Sequence, residues 1–259
     1  MSTKSTNPPK PIRVWLTPPG PNSWKTVYLL EELGLSYEIK SFRFDDVKKK
    51  PFIDINPNGR VPAIEDPNTE LVLWESGAIS QYLIEQYDTE NRLSYTSLKE
   101  KHHCNQWLQF QVSGQGPYYG QCGWFQHLHQ EKFPSAIERY ATEIKRIISV
   151  LQGVLAAKPA DQQFLVGDKQ TYADMAFVPW NFRLSEVLMQ SWDEVWENAP
   201  NVRAWHEKMV ESPAWKRSME HRAKAMDDQG LQWNGVPKGI ETFAEYEAKI
   251  AAGDDTTPK

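Results

Sequence analysis

The stretch NGRVPAIEDPNTELVLWESGAISQYLIEQYD, Asn58 to Asp88, decides how the chain is built. Ala63, Ile64, Leu71, Leu73 and Trp74 supply the apolar positions of two short strands, and Asp66, Pro67 and Asn68 supply the turn between them. Ser76 then precedes Ile79, Tyr82, Leu83 and Tyr87, whose spacing predicts a helix. Two features point to ligand chemistry. The first is Val61-Pro62. A residue before proline is held extended, and an X–Pro bond is the only common site for a cis peptide. A sharp turn there would leave the Val61 N–H and C=O free to pair with the main chain of a small peptide, as an added strand does. Read alone, the pair is an ordinary loop proline. The second is Trp74-Glu75-Ser76-Gly77. Ser76 stands at an expected N-cap, where its hydroxyl accepts from the first helical N–H groups. A self-sufficient capping box carries Glu or Gln three residues on, and that position holds Ile79. The helix start therefore keeps free N–H groups and a partial positive charge, which suit a carboxylate. Glu75 offers a negative charge to an ammonium. Both groups on one carbon make an amino-acid head; the plain alternative is a capped helix beside a surface glutamate.

Upstream, Ile12 to Leu16 reads as a strand and TPPGPNSWK, Thr17 to Lys25, as a turn rich in proline and glycine. Val27, Leu29, Leu30 and Leu33 mark a helix that stops at Gly34. Tyr37 to Phe44 follows as a strand, Lys48, Lys49 and Lys50 as a solvated loop end, and Phe52 to Ile55 as a short turn or helix. The order β-α-β-α-β-β-α is the thioredoxin-like plan. Such folds place their reactive group in the loop before the first helix. No cysteine occurs in the first hundred residues, so Cys-x-x-Cys redox chemistry is excluded there. The loop offers Thr17, Asn22 and Ser23 instead, and Asn22 at a helix start is first of all a good N-cap.

RVPAIED followed by WESGAISQYL resembles the glutathione-binding half of the glutathione transferase family. The resemblance implies that Val61, between Arg60 and Pro62, grips the cysteinyl main chain of glutathione, and that Glu75 and Ser76 hold its γ-glutamyl head. PGPNSWK, LEELGL and INPNGRVPAIED are similar to the Nu-class branch and its fungal relatives of the nitrogen-regulator type, which place Asn at the first helix. Asn22 is then the candidate catalytic residue. A free thiol has a pKa of about 8.5, and lowering it to about 6.5 means stabilising the anion by roughly 2.7 kcal/mol. One hydrogen bond to a charged acceptor contributes about 1.5–3 kcal/mol, so one amide donor helped by the helix N-terminus is enough in magnitude. Two departures from the branch matter. Its Thr-Pro-Asn-Gly is Gly20-Pro21-Asn22-Ser23 here, so the auxiliary threonine is gone unless Thr17 swings in. Val47 stands where a Gln or His meets the glycyl end, leaving Lys48, Lys49 or Arg60 for that carboxylate.

The expected organisation is a disordered lead (1–10), a thioredoxin-like α/β glutathione-binding domain (11–88), a linker (89–96), an all-helical C-terminal domain (97–225) and a C-terminal extension (226–259). That is the cytosolic glutathione transferase architecture. Gly114, Gly116, Pro117 and Gly120 are expected to interrupt a helix that carries Trp107, Phe110 and Gln111. WLQFQVSGQGPYYGQ resembles the same branch, where the segment faces the active-site mouth and the partner subunit. Tyr118, Tyr119, Trp124 and Phe125 would form either an aromatic wall for an electrophile or an interface core. Phe133 to Leu155 is a long amphipathic helix. Its start, AIERYATE, resembles the branch in which an arginine reaches across a dimer toward glutathione, making Arg139 a candidate. Thr171-Tyr172-Ala173-Asp174 closes a helix start with its own side chains, a folding signal rather than a site. Helices are expected at Asn201–Val210, Pro213–Ala225 and Ile240–Ala251, and the final GDDTTPK should be loose.

A net charge of −5 over 259 residues argues against a broad basic face for nucleic acid. No apolar run approaches the roughly 18 residues of a membrane helix. MSTKSTNPPKP has no apolar core, so no secretory signal is expected. Cys104 and Cys122 make no disulfide framework, and a cytoplasmic setting is the default. His102-His103-Cys104 and His127-x-His129 lack the matched spacing of a zinc site, so no metal is expected. The leading expectation is a homodimeric glutathione transferase that ionises glutathione for conjugation to a hydrophobic electrophile, or for detoxifying disulfide or peroxide reduction. The alternative is a non-catalytic regulatory protein on the same fold. The regulator relatives carry a long Asn/Gln-rich lead, which the short N-terminal stretch here does not match.

Overall fold

The computed structural model describes residues 10–159 and 162–253. The expected disordered lead, apart from Lys10, and the last six residues of the GDDTTPK tail lie outside the described residues.

The sheet is built around Ile12–Leu16 (β1). Ile12, Val14 and Leu16 are buried on one face while Arg13 and Trp15 take the other, as a period of two requires. β1 pairs parallel with Tyr37–Ser41 (β2) and antiparallel with Ala63–Asp66 (β3), and β3 pairs antiparallel with Leu71–Trp74 (β4), giving the order β2-β1-β3-β4. β2 is shorter than expected, because Phe44–Asp46 closes into a 3₁₀ turn. Pro21–Leu33 (α1) ends on Gly34 at φ 68, the left-handed conformation that glycine adopts without steric cost. α1 and Ser76–Tyr87 (α3) cover the face that carries Ile12, Val14 and Leu16. Phe52–Ile55 (α2) covers the other, where Phe52 lies 6.0 Å from Trp15 and 4.8 Å from Phe42.

α3 ends at Tyr87 and the helical layer begins with Leu98–Phe110 (α4). The glycine-rich segment does not break this helix, contrary to expectation. Gln111–Gln115 forms a π-helical turn, Gly116–Gly123 (α5) resumes the α-helix, and Trp124–Leu128 is a second π turn. Pro117 falls in the first turn of α5, where a missing N–H costs least. Pro134–Ala156 (α6) buries Ile144, Ile147, Ile148 and Leu151. Tyr172–Asn181 (α7) is buried along its whole length and carries the expected capping box of Thr171 and Asp174. Two short helices that the pattern did not reveal, Leu184–Leu188 (α8) and Trp192–Trp196 (α9), precede Pro200–Val210 (α10) and Pro213–Asp228 (α11). α1 packs on both α7 and α11, with Tyr28 against Trp215 at 5.3 Å, so one apolar core runs through sheet and helices.

After α11 the chain turns back. Its last helix, Phe243–Ala252 (α12), meets the second π turn, with Phe243 5.7 Å from Trp124. Gly235, at φ 91, lies so close to Pro19 that a Cβ would sit 2.9 Å from Pro19 Cγ. The extension therefore rests on the loop that leads into α1.

Candidate functional site

Strand register gathers the candidate residues at one end of the sheet. Trp15 is opposite Ala63, which is opposite Trp74. The loop after β1, the Val61-Pro62 turn before β3 and Glu75 after β4 therefore emerge together. A side-chain bond joins the two helix starts: Lys25 Nζ, one turn into α1 from Asn22, donates to Ser76 Oγ at 3.3 Å.

Asn22 does not cap its helix. Gly20 is the N-cap of α1, Pro21 opens it, and Asn22 is the second helical residue, making no cap bond. Its Oδ1 accepts from Trp180 Nε1 at 2.9 Å. Its Nδ2 has no partner among the described residues. The other two polar side chains of the loop are shut away, Thr17 at 2% exposure and Ser23 at 0%. Ser23 Oγ is buried without a partner among the described residues. Only Asn22, which is half-buried, is open to a ligand.

The Val61–Pro62 bond is cis. Neither the N–H nor the C=O of Val61 joins a backbone hydrogen bond among the described residues. Asn56 fixes the approach: its Nδ2 donates to the Arg60 carbonyl at 2.5 Å and its Oδ1 accepts from Asn58 N at 2.9 Å. Gly59, at φ 61, passes so close beneath that a Cβ would lie 3.1 Å from the Val47 carbonyl. Val47 itself is core, packed with Phe52 and Ala63. Arg60 and Lys48 are exposed and form no ion pair among the described residues, whereas Lys49 is held by Asp46 at 3.0 Å.

At α3 the capping residue is Glu75, not Ser76, and no side chain satisfies the first N–H groups. Glu75 sits at φ 72, ψ 114, a conformation that L residues rarely adopt and that clusters at functional sites. Ser76 is the first helical residue. Lys25, which the sequence reading passed over, is buried, with Nζ on Gln111 Oε1 at 2.6 Å as well as on Ser76. Burial pushes its ammonium down to about 7, against the opposing pull of Glu75. Gln111 hands the network on through Gln115 to Asn181 on α7. Gln111 and Gln115 begin and end the π turn, and such turns concentrate at functional sites. Lys25 lies three residues after Asn22, between Trp24 and Thr26, and only its burial marks it out.

The aromatic residues divide. Tyr119 is core, edge-on to Trp180 at 6.2 Å, and is not part of an open wall. Tyr118 packs on Tyr140, Phe125 stacks on Tyr140 at 5.8 Å, and Trp124 meets His129 and Phe243. Arg139 is bound to Glu143 on α6 at 2.5 Å, and among the described residues no bond links it to those around Asn22. His127 contacts the Glu186 carbonyl and His129 that of Glu131. Among the described residues no three His, Cys, Asp or Glu side chains converge on a metal position.

Two family models match the chain, described as glutathione S-transferase, N-terminal domain, over residues 10–85 and glutathione S-transferase, C-terminal domain, over residues 117–213. The glutathione S-transferase-like protein gedE of Aspergillus terreus is 46% identical over 205 residues, covering 77% of this chain and 90% of that protein. The crystal structure of glutathione transferase URE2P6 from Phanerochaete chrysosporium, in complex with oxidized glutathione, matches with a TM-score of 0.78 at 43% identity over 83% of this chain and 98% of that one. Ure2p5 from the same fungus, cocrystallized with 1-(S-glutathionyl)-2,4-dinitrobenzene, matches with a TM-score of 0.74 at 38% identity, over 86% of this chain and 98% of that one.

Proposed function

This chain belongs to the glutathione S-transferase family, in the branch of Ure2-like fungal glutathione transferases, and on that premise we propose that it ionises glutathione with Asn22. Asn22 carries the reading, as the one accessible polar side chain of the α1 loop and one whose amide nitrogen is unclaimed among the described residues. The glutathione main chain pairs with the free N–H and C=O of Val61, held by Pro62 and Arg60. Its γ-glutamyl carboxylate takes the open N–H groups of α3 and the Ser76 hydroxyl. Lys25 behind Ser76 turns that hydroxyl's hydrogen outward and, below its pKa of about 7, adds positive charge. Glu75 receives the ammonium. Lys48 and Arg60, cations beside Gly59 that form no ion pair among the described residues, meet the glycyl carboxylate.

In this arrangement the thiol proton leaves to water, because a carboxamide is no base. Nδ2 and the α1 N-terminus stabilise the sulfur anion that remains. The thiolate attacks an electrophilic carbon and expels its leaving group, or attacks one sulfur of a disulfide and releases the other as a thiolate. With no protein cysteine at the site, full disulfide reduction consumes two glutathiones. The oxidized glutathione bound by URE2P6 and the conjugate bound by Ure2p5 support both substrate classes for this site. The same reading takes the protein as a cytoplasmic, detoxifying homodimer in which Arg139 serves a neighbouring copy. Val72 and Trp74, 49% and 36% exposed on edge strand β4, support a second copy there. Conjugation of a chlorodinitrobenzene and reduction of a small disulfide test the proposal: Asn22→Ala should lower kcat/KM for both by roughly 10- to 100-fold, in line with one charge-assisted hydrogen bond. An Asn22→Ala enzyme of wild-type activity would overturn it.

A further inference from the structure

We propose that Trp180 is the positioning residue of the thiol site: its indole N–H, given to Asn22 Oδ1, decides that the amide end of the carboxamide faces the sulfur. This rests on Asn22 being the thiolate's donor. The two ends of a carboxamide are alike in size, and its terminal torsion is broad and roughly two-fold. One end donates; the other is an acceptor with partial negative charge. Turned round, the same residue would repel a thiolate. An indole nitrogen donates and never accepts, so only the carbonyl oxygen can face it. The orientation follows from the chemistry of the partner.

The indole is itself held in place. Trp180 is 9% exposed and Tyr119 meets its ring edge-on at 6.2 Å and 80°. Gly116 and Gly120, one turn apart on α5, form its seat: a Cβ on Gly120 would lie 3.3 Å from Trp180 Cη2, and one on Gly116 3.7 Å from Nε1. Glycines that read in the sequence as helix interruptions are thus the floor beneath the indole. Arg183, three residues further on, donates to the Pro19 carbonyl at 2.9 Å, a second tie from the end of α7 to the loop that carries Asn22. Thiol activation in the α/β layer is therefore set by a hydrogen bond from the helical layer.

A double-mutant cycle on the full chain tests this: wild type, Trp180→Phe, Asn22→Ala and the double variant. Thiolate ultraviolet absorbance gives the pKa of bound glutathione, and calorimetry gives its Kd. Trp180→Phe should raise the bound-thiol pKa by about one unit, roughly tenfold less thiolate at a pH below both values, with Kd changed by less than about twofold. In the Asn22→Ala background the same substitution should not move the pKa. A Trp180→Phe pKa equal to wild type, or an equal rise in both backgrounds, overturns the proposal. If Asn22→Ala alone leaves the pKa unchanged, the reading of Asn22 fails and takes this one with it. Should Trp180→Phe not fold, Gly120→Ala, which crowds the indole, should raise the pKa in the same direction by less, and no shift would count against the proposal.

Discussion

In the proposed binding mode Glu75, Ser76 and Lys25 together hold an amino-acid head, and Glu75 and Lys25 predict different defects. Glu75→Gln keeps the backbone atoms at φ 72 but removes the charge offered to the ammonium. Glutathione Kd should rise roughly tenfold, about 1.4 kcal/mol, with the pKa of the bound thiol unchanged; calorimetry and the thiolate titration check the two halves separately. Lys25 carries a charge that burial resists, so its pKa in the fold, about 7, lies below the ordinary 10.5 that the unfolded chain retains. Between those values the unfolded state binds more protons, and stability rises with pH. Below about 7 both states are protonated and the cost of the buried charge is complete. Lys25→Met removes that cost together with two hydrogen bonds. Its stability relative to wild type should therefore fall as pH rises from 7.5 to 9.5, by up to about 1.4 kcal/mol per unit. Urea midpoints of the two proteins across that range measure it, and a pH-independent difference would contradict a buried, depressed Lys25.

Elements explain what single residues cannot. α7 hangs from Asp174, whose carboxylate accepts from the Leu165 N–H, the Thr171 N–H and hydroxyl, and the Trp205 indole. Asp174→Ala strands these donors in the core and should cost about 3–5 kcal/mol, read as a drop in thermal midpoint. Glutathione affinity of the folded fraction should hold, because the box binds no ligand. That box was legible from its four residues, as were the β-α-β-α-β-β-α order and the helix after Ser76, since caps and periodicity are local. The helix from Leu98 to Leu128 was misread for the converse reason: Gly116 and Gly120 answer to Trp180, about sixty residues away in sequence. Asn22, Val61, Glu75 and Ser76 stood out through their motifs. Lys25 and Trp180 did not, because a lysine becomes notable only when buried and an indole only when its N–H is seen to meet something. Asn22 also looked like a cap, and only the placement of Gly20 at that position frees it.

At the scale of the whole molecule, the site is a seam. The α/β layer supplies the loop, the cis turn and the start of α3; the helical layer supplies Trp180, Gln111 and Arg183. The extension closes one edge, where the Trp233 carbonyl accepts from Arg183, Gly235 presses on Pro19 and Phe243 covers Trp124. Truncation after Gln229 would remove Trp233 and Phe243 and bare Trp124 without touching Val61, Glu75 or Ser76. It should change KM among electrophiles of different size by several-fold and leave glutathione Kd within about twofold; steady-state kinetics over a graded substrate series checks this. At the centre of the proposed function is a smaller feature than any of these parts: a neutral amide, not an ionisable side chain, is proposed to keep the sulfur charged. Its most direct test is the pKa of glutathione's thiol when bound to wild type, Asn22→Ala and Asn22→Asp. Wild type should give about 6.5, alanine a return toward about 8.5, and aspartate a higher value still, because its anion repels the thiolate. One pKa shared by all three proteins would contradict it.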